Sequence, residues 1–224
     1  MARLIAFDVN ETLLDLAALD PLFARLFGDP AVRREWFAQM LQSMFISIVT
    51  DRYADFTALQ MGALTLIARR HDTALSEEDR RQVREEMQHL PPHPDVRPAL
   101  ERLRGAGLRL VTLTNSPEQV AQAQIMNAGL DDLFEAVLSA DTVRRLKPAP
   151  EPYRMVAKRT GVPIEQVRLV AAHGWDIAGA LRAGCAAAFV ARPRMALDPV
   201  AERPDIVGDT LTEVAERIIA VECD

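Results

Sequence analysis

The sequence predicts an α/β fold: a doubly wound parallel sheet with a block of helices inserted after its first strand. Three observations predict it. The apolar run Leu4-Ile-Ala-Phe7 stops at Asp8, as a buried parallel strand does where its carboxyl end reaches the sheet's edge. Roughly seventy residues with helical periodicity and no convincing strand follow, closed by the proline cluster Leu90-Pro-Pro-His-Pro94. Strands and helices then alternate to the end of the chain, the pattern of a parallel sheet covered on both faces.

In chain order, helical periodicity covers 16–27, 31–49, 52–72 and 76–88, broken by Gly28-Asp29-Pro30. Ser76-Glu-Glu-Asp79 has the form of a capping box and marks a helix start. After the prolines, Arg97–Gly105 reads as helix, Arg109–Leu113 as strand, Glu118–Ala128 as helix and Glu135–Ser139 as a short strand. Glu151–Thr160 is helix, Arg168–Ala172 strand, Asp176–Ala183 helix, and Ala187–Ala191 strand. Asp205–Val207 is a last short strand before a terminal helix. The expected division is a core of 1–15 and 91–224 with a helical cap of 16–90.

A chain of 224 residues suits one α/β domain with an insertion, and 49% hydrophobic residues allow a sizeable core. A net charge of −6 argues against a general affinity for nucleic acid or an anionic membrane. An anionic substrate must therefore be captured by local positive groups. No segment reaches the ~18 apolar residues of a membrane span, and the run from Met1 to Phe7 is too short for a signal peptide. A cytoplasmic location is expected. Cys185 and Cys223 provide neither a disulfide framework nor metal-ligand spacing. Cys185, in an Ala-rich stretch, reads as a small core residue.

Sheets of this kind bind ligands at the carboxyl ends of their strands, which selects Asp8, Thr114-Asn115, Lys147 and His173-Gly-Trp-Asp176. A carboxylate at Asp8 can attack carbon or phosphorus to form an ester or an acyl phosphate. Taken alone, Asp8 has the plainer alternative of merely capping the next helix. Thr114 and Asn115 offer a hydroxyl, an amide and free backbone N–H groups ahead of a helix, which favours an anion. Lys147 is a lone cation held by Pro148, and Asp176 could pair with it.

The order Asp8, Thr114, Lys147, Asp176 is similar to the four motifs of the haloacid dehalogenase superfamily, over nearly the whole chain. The resemblance implies a Rossmann-like core that does the chemistry and a helical cap that closes over the sheet's edge. The superfamily's phosphatases use a second aspartate, two positions after the nucleophile, to protonate the leaving alcohol. Here that position is Asn10. They also bind magnesium through an acidic pair after the third strand, and the first of that pair falls at Ala172. Magnesium prefers several hard oxygen ligands, so losing one together with the general acid argues against phosphoryl transfer.

The reduced set resembles that of the type II (S)-2-haloacid dehalogenases. Thr12, Thr114, Asn115, Lys147, Tyr153, Trp175 and Asp176 match that family's pocket residues or close substitutes, and so does the stretch from Trp36 to Phe56. The resemblance implies a hydrolase acting on carbon–halide bonds of a small anionic 2-haloacid, with no cofactor and no metal. In it, Asp8 displaces halide from carbon two. Lys147, held by Asp176, stabilises the nucleophile. Thr12 and Thr114 orient carboxylates and Asn115 touches the leaving halide. Asn10, Phe37, Phe56, Tyr153 and Trp175 complete the expected substrate contacts, and a homodimer is implied.

Two positions depart from that family. Phe37 stands where an arginine cradles the halide, losing charge and hydrogen bonds, and could also be plain helix core. His173, with Ala171, replaces the usual asparagine and serine. Histidine can activate water near neutral pH, so His173 is an expected catalytic residue, a satisfied loop histidine being the plainer alternative. His71, His89 and His93 read as solvated side chains without partners. Two competing functions remain: a magnesium-dependent phosphatase, against which Asn10 and Ala172 count, and a non-catalytic small-molecule binder, against which the intact Asp8, Thr114, Lys147, Asp176 set counts.

Overall fold

The computed structural model describes residues 4–223, so the first three residues of the amino-terminal run lie outside the described residues. Among the described residues, six parallel strands form one sheet: β1 (Leu4–Phe7), β2 (Arg109–Thr114), β3 (Ala136–Ser139), β4 (Val167–Ala171), β5 (Ala186–Val190) and β6 (Ile206–Gly208), in the order β3-β2-β1-β4-β5-β6. Strand order reverses at β1, and an open crevice at carboxyl ends forms at such a point. Phe7 lies level with Thr112 on one side and Val170 on the other, so the next residues of all three strands share the same edge.

β1 is apolar throughout because both its faces are covered. Ile5 and Phe7 pack into one core with residues of α5 (Val96–Gly105) and α9 (Leu211–Glu222). Leu4 and Ala6 pack into the other with α7 (Pro150–Thr160) and α8 (Gly174–Ala183). A further helix, α6 (Glu118–Asn127), lies beside β3.

Between β1 and α5 run four helices: α1 (Asp20–Phe27), α2 (Val32–Val49), α3 (Phe56–Arg70) and α4 (Glu77–Glu86). Trp36 has no exposed surface; its indole N–H donates to the Gln60 carbonyl and its ring lies 5.1 Å from Phe23, joining α1, α2 and α3. The capping box at Ser76 and Asp79 is present. Two expected boundaries shift. The helix read from 52 begins at Phe56, because Asp51 turns left-handed (φ 54°) and the Asp55 carboxylate caps the Ala58 N–H. Leu16–Leu19 forms a 3-10 turn ahead of α1. The chain leaves and re-enters the sheet layer along paired connectors: Asp15 N–H donates to the Pro91 carbonyl at 2.8 Å and His93 N–H to that of Leu13 at 2.9 Å. Among the described residues, no helix is long and apolar enough to cross a membrane.

Candidate active site

Asp8 follows β1 directly, its N–H continuing the ladder to the Val170 carbonyl, and its carboxylate is 7% exposed. Three side chains hold it. Lys147 Nζ is 2.9 Å from Oδ1; on Oδ2, the Thr12 hydroxyl donates at 2.7 Å and His173 Nδ1 stands at 3.2 Å. Thr12 Oγ1 also accepts the Ala172 N–H, tying the β1 turn to the end of β4.

Lys147 is fully buried, and an ammonium there is tolerable only if every hydrogen is satisfied. It is. Besides Asp8, Nζ donates to Asp176 Oδ2 at 2.6 Å and to the Leu113 carbonyl at 2.7 Å. Asp176, near the start of α8, accepts the Tyr153 hydroxyl on its other oxygen at 2.5 Å. Gly179, one turn along, permits that contact: a Cβ there would stand 2.5 Å from the Tyr153 hydroxyl and 2.6 Å from Pro148 Cβ.

His173 Nε2 is 2.9 Å from Glu11 Oε2, so the ring bridges two carboxylates. The ring stacks between Phe37 and Trp175, with centroids 5.9 and 5.2 Å away. Burial works against ionisation throughout this cluster, and the partners decide the outcome. Burial pushes Asp8 up, but the Lys147 charge and the His173 hydrogen bond outweigh it and hold Asp8 well below the usual carboxylate range. Burial pushes His173 down, but its bonds to Asp8 and Glu11 prevail and raise it to about 9. Lys147 is likewise raised, Asp176 and Asp8 together overcoming its burial.

The insertion meets this edge directly. Phe37 and Met44 come from α2, with Met44 Sδ 3.1 Å from Asn115 Nδ2, and Phe45 packs edge-on to Trp175. A cavity of about 930 Å³ opens beside the three stacked rings, lined by Glu11, Arg33, Phe37, His173 and Trp175 among others.

The haloacid dehalogenase-like hydrolase family model matches residues 2–184. The chain belongs to this family. Among relatives of the hydrolase, (S)-2-haloacid dehalogenase 2 of Pseudomonas sp. (strain CBS-3) is 28% identical, over 95% of this chain and 93% of the relative. Haloacetate dehalogenase H-2 of Moraxella sp. (strain B) is 26% identical, over 96% of each. The L-2-haloacid dehalogenase of Xanthobacter autotrophicus with chloropropionic acid covalently bound superposes with a TM-score of 0.92 at 27% identity, covering 99% of this chain and 100% of that one.

In this haloacid dehalogenase-like hydrolase, Asp8, Thr12, Lys147, His173 and Asp176 form one connected network, with Phe37 and Trp175 over it. The Asn115 carboxamide oxygen accepts the Lys147 N–H, and the Thr114 hydroxyl accepts that of Ser116. Three expected substrate contacts stand elsewhere. Tyr153 reaches Asp176 from within the sheet's core and is 1% exposed, so it positions that carboxylate. Phe56 is buried with the hydrophobic side chains of the insertion. The Asn10 side chain is bonded to Ser116 and Gln124.

The remaining histidines, read as solvated and unpartnered, have partners. His71 pairs with Glu35 at 2.7 Å, His89 meets the Glu85 carbonyl, and the half-buried His93 meets that of Glu11. Sequence reasoning missed Glu11 and Arg33. Glu11 depends on a left-handed backbone (φ 63°) that no motif announces. Arg33 had a signal: it lies four residues before Phe37, hence on the same helical face.

Proposed function

We propose that this hydrolase cleaves the carbon–halogen bond of short 2-haloalkanoic acids, haloacetate or 2-halopropionate in type, through a covalent ester on Asp8 and without a metal. The observation that carries the reading is the Asp8 carboxylate itself, ionised and gripped on one oxygen by Lys147 and on the other by Thr12 and His173. A carboxylate so fixed attacks carbon two from a set direction, and the entropy of alignment is already lost. Halide departs without needing a proton, which suits a site whose Asn10 cannot donate as an acid. Two cationic side chains already neutralise Asp8, which disfavours adding a divalent cation there. The Trp175 indole N–H is buried and has no acceptor among the described residues.

Within this reading, residues 16–90 are the cap that closes the pocket. A cytoplasmic setting fits two unpaired cysteines, and a homodimer fits the exposed Ile46 and Val49 on α2. Halide release from chloroacetate, bromoacetate and 2-chloropropionate in the presence of EDTA tests the proposal. Stoichiometric release of halide and hydroxyacid is expected. Failure with every haloacid, alongside magnesium-restored cleavage of a phosphate monoester, would replace it with the phosphatase reading.

A further inference from the structure

Side chains grip the Asp8 carboxylate, and the turn that carries it has a support of its own. That turn brings Thr12 back beside Asp8, where the Thr12 hydroxyl donates to Oδ2 at 2.7 Å and accepts the Ala172 N–H at 2.9 Å. Thr12 has no exposed surface, so its backbone carbonyl needs a donor within the protein. Among the described residues no backbone N–H reaches that oxygen. Arg192, two residues past the end of β5, supplies the donors instead. Its Nε donates to the Thr12 carbonyl at 3.1 Å and its Nη2 at 3.0 Å. Its Nη1 donates to both oxygens of Asp95, each at 2.8 Å. Asp95 also accepts the Leu211 N–H, at the start of α9, at 2.7 Å.

Resting on the dehalogenase reading, we propose that Arg192 and Asp95 form a clamp that positions the nucleophile through Thr12. Arg192 is a positioning residue. It fixes the Thr12 carbonyl, and the Thr12 hydroxyl in turn fixes Asp8 Oδ2, so that the carboxylate keeps one orientation for attack on carbon two. A planar guanidinium suits the task, because two nitrogens converge on one oxygen while the third takes the carboxylate; an ammonium has no such fixed spread. Arg192 lines the cavity, but four of its five N–H donors are already committed to Thr12 and Asp95, which suits it to bracing rather than to holding a substrate.

The clamp also stands at the stem of the helical insertion. Thr12 precedes the outgoing connector, where Asp15 N–H donates to the Pro91 carbonyl. Asp95 follows the returning connector, where His93 N–H donates to the Leu13 carbonyl. One guanidinium therefore ties both ends of the insertion to each other and, through β5 and α9, to the sheet. Asp8 is thereby isolated from movement of the helices those connectors carry. The isolation matters because the rate of a displacement falls steeply with misalignment, a shift of ~1 Å costing about 100-fold.

Single-turnover kinetics with bromoacetate, reading the rate of bromide release at saturation and the half-saturating concentration, test the clamp in the whole chain. Arg192→Gln should slow release at saturation by about 10-fold or more and move the half-saturating concentration by less than about 2-fold. Thr12→Val removes the hydroxyl, keeps the carbonyl and should slow release to a similar extent. Because Arg192 acts through Thr12, adding Arg192→Gln to Thr12→Val should slow release by no more than about 2-fold further. Two losses that simply multiply overturn the clamp. A raised half-saturating concentration at an unchanged maximal rate also overturns it, since Arg192 would then be a substrate-binding group. So does an Arg192→Gln protein that is less stable yet releases bromide at the wild-type rate while folded, since its role would then be structural alone. If Arg192→Gln does not fold, Arg192→Lys takes its place in the same cycle, because an ammonium retains the Asp95 pair without forking onto the Thr12 carbonyl, and a wild-type rate there overturns the clamp. Wild type that releases no bromide removes the dehalogenase reading and the clamp's role with it, a result distinct from any loss confined to the variants.

Discussion

Lys147 Nζ lies 2.6 Å from Asp176 Oδ2, and neither side chain has exposed surface. Such a pair is costly to bury and costlier to break, since removing one partner strands a charge without water. Asp176→Asn should therefore destabilise the fold by about 3–5 kcal/mol and lower dehalogenation at least ~100-fold, because Lys147 is left to be shared differently between Asp8 and the amide. Tyr153→Phe removes one hydrogen bond to the same carboxylate and should cost only about 1–2 kcal/mol. Denaturant unfolding of both variants checks the order, and an Asp176→Asn protein as stable as wild type contradicts the account.

His173 makes stability depend on pH in a stated direction. Its folded value, about 9, lies above the ordinary 6.5, so the folded state binds the proton more tightly than the unfolded chain does. The stabilisation is complete below pH ~6.5 and is lost as pH rises through about 9, an amount of order 3 kcal/mol. Urea unfolding between pH 6 and 10 should show this decline in wild type and a flatter profile in His173→Asn. Parallel profiles would show that the ring is not charged in the resting site.

Gly179→Ala tests the packing beneath the site. The added methyl meets the Tyr153 hydroxyl and Pro148 at distances no real Cβ tolerates, so α7 and α8 must separate. Overpacking of this kind costs about 1–3 kcal/mol. Activity should fall further than that loss of stability implies, because Pro148 adjoins Lys147 and Tyr153 holds Asp176. An active, fully stable Gly179→Ala protein would mean the packing relaxes without disturbing Lys147.

The fold was readable because its signals are periodic. Each strand read from the sequence is present within about one or two residues, the uncertainty usual for element ends. Leu4–Phe7 is apolar because it is covered on both faces, and Asp8 stands out because it ends that cover. The site was readable where chemistry sits directly at a strand's end, as at Asp8 and Thr114, or in a distinctive local run, as at Lys147 and Asp176. It was not readable where function depends on tertiary approach. Tyr153 is a pocket residue only by the family resemblance, yet its helix turns it toward Asp176 through a gap left by Gly179, twenty-six residues away in sequence. Glu11 reads as a polar turn residue until a left-handed φ brings it against His173. α3 starts at Phe56 rather than at 52 because Asp55, not the run of residues from 52, provides the cap.

The central claim is that Asp8 is the nucleophile and becomes an ester. The most direct measurement is a single turnover of a 2-haloacid in water enriched in heavy oxygen, with enzyme in excess, followed by mass spectrometry of the peptide containing Asp8. Hydrolysis by attack of water on the Asp8 carbonyl carbon leaves one heavy oxygen in the Asp8 carboxylate and none in the hydroxyacid. Heavy oxygen found in the hydroxyacid, with Asp8 unlabelled, would mean that water displaces halide directly and would contradict the account.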